Sequence, residues 1–288
     1  MFFLGELTAA HAHLEQVTAL LAPWQDRFPT FRSGESTLAY TAWTLWMLGY
    51  PDQALTRSHE MLTYARESLH AFNLARALHS VAVLHRLRRE GAATQEWAEA
   101  SLALVTEQGF GHQVGFTTFE RGQALAAQGQ GEAGIAQMHQ GLAAIRAMGL
   151  THALSVWSAP LAEAYGRIGQ AEEGLRLLPE ALAHMDHTGV RVYEAEVYRL
   201  KGELLLEQSS SNQTEVETCF HQAMTIAQKQ SAKSWELRTA TSLARLWQQQ
   251  GKRQEAHDLL APVYEWFTEG FDTADLKDAK ALLDELAT

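Results

Sequence analysis

His184 and His187 stand three residues apart with Asp186 between them, a spacing that can place two imidazoles on one helix face as divalent-metal ligands. His11 and His13, two apart, cannot face the same way, and no HExxH occurs. The 184/187 pair falls near an expected helix end, where a histidine complements the helix dipole, and that role accounts for both rings without a metal. Cys219 is the single cysteine and the one candidate thiol nucleophile. In ETCFHQAM its companion His221 lies two residues on, on the wrong side of a helix for a dyad, so Cys219 reads as a buried core thiol. There is no GxSxG, GxxxxGK[ST] or GxGxxG. Neighbouring carboxylates such as Glu172 with Glu173, or Glu194 with Glu196, read as solvated helix faces. The sequence therefore assigns no catalytic residue, no metal and no cofactor. It points to recognition rather than to a reaction.

The bulk properties narrow the partner. The chain has 288 residues, 46% hydrophobic and 20% charged, with a formal charge of −11, which argues against a general nucleic-acid binder because phosphate recognition needs a concentrated basic surface. One cysteine excludes an intrachain disulfide and fits a reducing compartment, so a cytoplasmic location is expected. No run approaches the roughly eighteen apolar residues of a membrane helix, and MFFLGELTAAHAH lacks the basic leader and apolar length of a signal peptide.

The elements that must carry any binding surface are repeats. In LAEAYGRIGQAEEGL, Ala162 is small, Tyr165 large, Gly169 a helix stop and Gly174 small again, the pattern of two antiparallel helices meeting at an elbow. Copies centre on Gly49, Gly91, Gly129 and Gly251; around Gly91 the second small residue slips to Ala98, as if two residues were inserted. A second series, Gly109, Gly149 and Gly189, repeats every 40 residues, with Ser231 a further 42 on. Two interleaved series with one period predict two helices per repeat, about fourteen helices of roughly fifteen residues. The expected fold is an all-α solenoid with no central globular core. Residues 1–22 form a partial first repeat, 23–35 a long loop, 36–271 helical hairpins and 272–288 a capping helix whose Lys277, Asp278, Lys280, Asp284 and Glu285 face away. Ser209 to Thr214 reads as a lengthened loop, and Pro160, Pro179 and Pro262 fall inside predicted helices. Phe2, Phe3 and Leu4 read as the end of a helix whose remainder is missing, an apolar end that favours weak self-association.

The small–large–glycine–small signature resembles the tetratricopeptide repeat, here with a period near forty rather than thirty-four. AYTAWTLWMLGYPDQAL, YEAEVYRLKGELLL and the segment from SLARLWQQQGKRQEAHDLL to the C-terminus are similar to the repeat region of bacterial multidomain regulators that carry a STAND-type ATPase, often behind a cyclase-like domain. That resemblance implies a right-handed superhelix and a non-catalytic sensor or scaffold arm. Its partner would be a protein or peptide segment, including an ATPase domain of the same polypeptide, or a small ligand. By the geometry of such repeats, the groove positions are Ala39, Trp43, Trp46, Phe116, Phe119, Gln123, Val156, Glu163, Glu196, Arg199, Glu203, Arg238, Arg245 and Gln248. Aromatic residues dominate the first half of that set and charged residues the second. A purely structural or oligomerisation module is the competing expectation.

Overall fold

The computed structural model describes residues 1–27, 34–150, 154–208 and 213–287. Every regular element among them is helical. A 3-10 turn (Phe2–Leu4) precedes α1 (Leu7–Arg27), and six hairpins follow. They pair α2 (Glu35–Leu48) with α3 (Pro51–Glu67), α4 (Ala71–Leu87) with α5 (Gly91–Glu107), and α6 (Gly111–Ala127) with α7 (Gly131–Ala147). The remaining three pair α8 (Leu154–Arg167) with α9 (Ala171–Thr188), α10 (Glu194–Gln208) with α11 (Gln213–Lys229), and α12 (Lys233–Gln249) with α13 (Arg253–Glu265). Last comes α14 (Ala274–Ala287).

The helices stop where one residue adopts a left-handed conformation, and these residues recur at intervals of about twenty. Gly129 is representative: its N–H donates to the Ala126 carbonyl (3.2 Å) while the Gln130 N–H donates to Leu125 (3.0 Å), which ends α6 and turns the chain into α7. The elbow of the second hairpin is set not by Gly91 but by Arg89, which takes φ 62° without being glycine. Gly91 is instead the first residue of α5. Counted from Arg89, the small position five residues on is the buried Thr94 (1% exposed), so the expected two-residue slip to Ala98 disappears. Leu69 and Ser231 serve in the other series at φ 55° and 56°. Where helices cross most closely, glycine is required by space rather than by dihedral: a Cβ at Gly122 of α6 would lie 2.6 Å from the Gly134 carbonyl oxygen of α7.

Some expected boundaries shift. Helix α1 runs through Pro23 to Arg27, so the long connection begins later than residue 23, and 28–33 lie outside the described residues. Helix α11 begins at Gln213, inside the expected SSSNQT loop, whose 209–212 also lie outside. Pro160, Pro179 and Pro262 sit within α8, α9 and α13.

The larger departure from expectation is that the array closes on itself. Along the inner side α2, α4, α6, α8, α10 and α12 each touch the next, and α12 touches α2. At that seam Trp46 and Trp235 pack edge to face, ring centroids 4.9 Å apart, and the Ser234 hydroxyl donates to the Trp46 carbonyl (2.5 Å). Further out, the Glu269 carboxylate caps α3 by accepting from the Asp52 and Gln53 N–H groups (2.9 and 3.0 Å), and Asp52 accepts from the Gly270 N–H (3.0 Å). The buried apolar residues of α2 consequently share one cluster with those of α10 and α12, a shared core that an open solenoid would not have. The amino-terminal turn is also seated: Phe3 accepts backbone bonds from Arg191 (2.6 Å) and Val192 (3.2 Å), and Phe2 packs on Tyr40 and Trp43. It is a wedge between distant repeats, formed by a 3-10 turn. Helix α14 buries Leu276, Ala279, Leu282 and Leu286 and leaves Leu283 half-buried; Glu285 is exposed, as expected, and accepts from Gln248 (3.1 Å), whereas Asp278 is turned to Arg89 (2.7 Å).

Candidate functional site

The closed circuit surrounds a lumen. One cavity, about 220 Å³, lies between Arg86 on α4, Gln123 on α6, Glu163 on α8, Glu196 on α10 and Arg238 on α12, with Tyr193 and Trp235 on its wall. A second, about 200 Å³, is lined by Arg199, Glu203, Ser242 and Arg245, with Asp275 and Asp278 of α14 on its far side. Arg89, Glu163 and Arg238 line both, so the two spaces adjoin.

Charge in this lumen is organised as paired guanidinium and carboxylate groups. Arg199 grips Glu196 with a fork of two 2.8 Å bonds from Nε and Nη2, and reaches Glu203 through Nη1 (3.2 Å). Burial opposes the Arg199 charge, but Glu196, Glu203 and Glu163 outweigh it and hold the group well above its usual value. Arg238 is placed at the seam. Its Nε donates to Asp275 (2.8 Å), its Nη2 to the Leu87 carbonyl (2.6 Å), and its guanidinium lies 5.1 Å and 5.0 Å from the rings of Trp46 and Trp235. Arg86 pairs with the buried Glu120 (2.9 Å) and donates to the Tyr193 hydroxyl (3.1 Å). Burial pushes the Glu163 carboxyl up, while Arg167, Arg199 and Arg238 push it down further and keep it below the ordinary carboxylate range. Such charge-assisted pairs hold their donors and acceptors in fixed directions along the cavity walls. Among the described residues no cluster of three His, Cys, Asp or Glu could hold a metal ion.

Seven of the predicted groove residues are brought together on these walls: Gln123, Glu163, Glu196, Arg199, Glu203, Arg238 and Arg245. The aromatic half of the prediction is corrected. Trp46 and Phe119 are 2% and 0% exposed, the first locked in the seam and the second packed with Met138 and Leu142, so neither faces a groove. Trp43 is half-buried between repeats and donates its indole N–H to the Ser80 carbonyl (3.1 Å). Phe116 is wedged between the rings of His79 and Trp157 and lines neither cavity. Gln248 is turned to α14, Ala39 is buried, and Val156 packs against the core. The sequence reading missed Arg86, Arg89, Tyr193, Trp235 and Asp275 as lining residues. Arg89 and Asp275 are 186 positions apart and meet through the closure of the ring, which no local spacing announces.

No protein-family model matches the chain, and no curated protein matches it. Among solved structures it is similar to NprR in complex with its cognate peptide NprX, with a TM-score of 0.65 and 15% identity over 99% of this chain and 81% of that one. It is a TPR-like helical solenoid. The apo form of RapI shares the fold more loosely, at a TM-score of 0.51 and 11% identity over 88% of this chain and 97% of that one. Among the described residues no helix is long and apolar enough to cross a membrane.

Proposed function

We propose that the chain is a non-catalytic recognition module that holds a peptide, a protein segment or a small ligand in the lumen of its solenoid. In this reading it serves as the sensing arm of a larger cytoplasmic bacterial regulator, with a STAND-type ATPase or cyclase-like domain as its intramolecular client. One observation carries the proposal: four inner helices far apart in sequence, α4, α8, α10 and α12, bring arginines and carboxylates to two adjoining cavities, with Asp275 and Asp278 of α14 completing the second. Fixed, desolvated ion pairs around a concavity suit orientation and selectivity. The likeness of fold to NprR, crystallised with its cognate peptide, supports a peptide as the first ligand to try. Cavities of about 220 and 200 Å³ admit a few side chains or a compact metabolite. A longer segment must thread the mouth or part the α2–α12 seam.

The test is a titration of the full chain against a peptide array and a metabolite set, with Arg199→Ala as the lumen variant. Ligands that bind the parent and lose affinity about tenfold or more with the variant support the module. Binding that the variant leaves intact places the ligand elsewhere. A scaffold role is the second reading, favoured by the apolar recess formed by Phe3, Leu14, Val17 and Tyr40 beside the exposed Leu20 (72%). Sedimentation as a stable dimer without any lumen ligand would favour it.

A further inference from the structure

Six arginines line the two cavities, and five of them are engaged by carboxylates of the chain: Arg86 by Glu120, Arg89 by Asp275 and Asp278, Arg167 by Glu163, Arg199 by Glu196 and Glu203, Arg238 by Asp275 and Glu196. Arg245 is the sixth. It is exposed, lies seven residues beyond Arg238 and therefore on the same face of α12 two turns on, and makes no ion pair among the described residues. We propose that the second cavity takes a carboxylate, with Arg245 as its principal partner. This rests on the reading of the lumen as a binding site and names the chemistry it selects.

The hydrogen-bonding inventory of the cavity supports an anionic ligand over a cationic one. Asp275 accepts from Arg89 at one oxygen and from Arg238 at the other. One Glu203 oxygen accepts from both Arg199 and the Ser242 hydroxyl. In the adjoining first cavity both Glu196 oxygens are taken by Arg199. An incoming ammonium or guanidinium would have to share or displace these bonds, or use the single oxygens that Glu163, Glu203 and Asp278 keep outside them. Donors, by contrast, are spare: the whole Arg245 guanidinium has five N–H groups in a fixed fork, and Arg89 uses one terminal nitrogen, Nη1, for both of its aspartates. A planar carboxylate matches such a fork with two parallel bonds. A phosphate dianion is disfavoured because Glu163, Glu203, Asp275 and Asp278 already line the same 200 Å³, and each further negative charge there meets theirs at short range. Four arginines and four carboxylates balance in that lining, so one added carboxylate is the smaller perturbation.

A carboxylate can arrive on an acidic peptide or as a free di- or tricarboxylic acid, and the experiment separates the two. The full chain is titrated with array-derived peptides, each paired with its Glu→Gln, Asp→Asn and C-terminally amidated form, and in parallel with succinate, citrate and inorganic phosphate. The parent, Arg245→Gln and Arg245→Lys are compared at low and moderate salt. Arg245 is solvent-exposed, so unchanged melting of the unliganded variants is expected and serves as the folding control. The proposal expects an acidic form to bind at least tenfold tighter than its amide counterpart, Arg245→Gln to abolish that preference and Arg245→Lys to keep part of it. A response confined to citrate or succinate, and lost with Arg245→Gln, assigns the free acid as the source. Peptides that bind equally as acid and amide, or a response to phosphate stronger than to any carboxylate, overturn the carboxylate assignment. If those same peptides still need Arg199, the lumen reading stands without it. A chain that binds nothing in any arm overturns both.

Discussion

Two arginines of the lumen offer a controlled comparison of what a buried ion pair contributes. In Arg86→Met the stem is kept and the charge removed, leaving Glu120, 1% exposed, without its guanidinium partner and the Tyr193 hydroxyl without its donor. Removing one partner of a buried pair costs about 3–5 kcal/mol, because the surviving charge stays desolvated. Arg238→Met removes a side chain with more contacts, yet its carboxylates are not abandoned: Asp275 keeps Arg89 at 3.1 Å and Glu196 keeps the Arg199 fork. What is lost is the bond to the Leu87 carbonyl and the two indole contacts. Those sum to about 2–3.5 kcal/mol, at roughly 1–1.5 for the bond and 0.5–1 for each ring. The residue with fewer partners is thus expected to be the more costly to lose. Urea denaturation followed by circular dichroism reads the order directly, and Arg86→Met combined with Glu120→Leu should recover most of the loss because no orphaned charge remains. Equal costs, a reversed order, or a double variant worse than Arg86→Met would refute the reasoning.

The crossing of α6 and α7 leaves no room for a side chain, whereas Gly169 meets nothing within 4 Å and needs only its φ of +73°. Gly134→Leu should therefore destabilise by about 3 kcal/mol or more through forced helix separation, against about 1–2 kcal/mol for Gly169→Val through backbone strain, measured by the same denaturation. His79 provides a pH readout. Burial, with Arg86 and Arg76 nearby, holds its imidazole below the ordinary 6.5 despite Glu120, so its contribution to stability is complete above that value and is lost as pH falls toward the folded-state pKa. His79→Phe should flatten the decline in melting temperature below about pH 6.5, and a slope unchanged by the substitution would contradict the assignment.

How much of this was legible in the sequence divides along the range of the interactions. The helices, their number and their turns follow from local signals, since Gly129 or Gly169 ends a helix through bonds to residues three to five positions away. Arg89 escaped that reading because a non-glycine residue occupies the left-handed position, displacing the elbow by two residues. The charged half of the groove was legible because Glu196, Arg199, Glu203, Arg238 and Arg245 keep helical spacing on two inner helices. The aromatic half failed for a physical reason. A tryptophan on the inner face of an open array would be exposed, but here Trp46 is covered by Trp235 across the seam, 189 positions along the chain. The closure itself had no sequence signal.

That closure changes how the array reaches its native state. An open stack of repeats can begin folding anywhere and spread by neighbour contacts, so its assembly involves short loops alone. In this chain Ser234 must find Trp46 across 188 positions, and Glu269 must find Gln53 across 216. Searched by a flexible chain, the longer span would cost roughly 1.5 kcal/mol more in loop entropy than a forty-residue contact, at about 0.6 kcal/mol per doubling. Stacked repeats shorten the search, because their accumulated curvature already carries α12 toward α2. The joint is then a gauge of that curvature. A small error in the angle of any one hairpin, such as the glycine crossing of α6 and α7 on another part of the ring, is summed around the circuit and expressed as misalignment between Trp46 and Trp235. Repeats that share no contact are in this way made to fold as one unit.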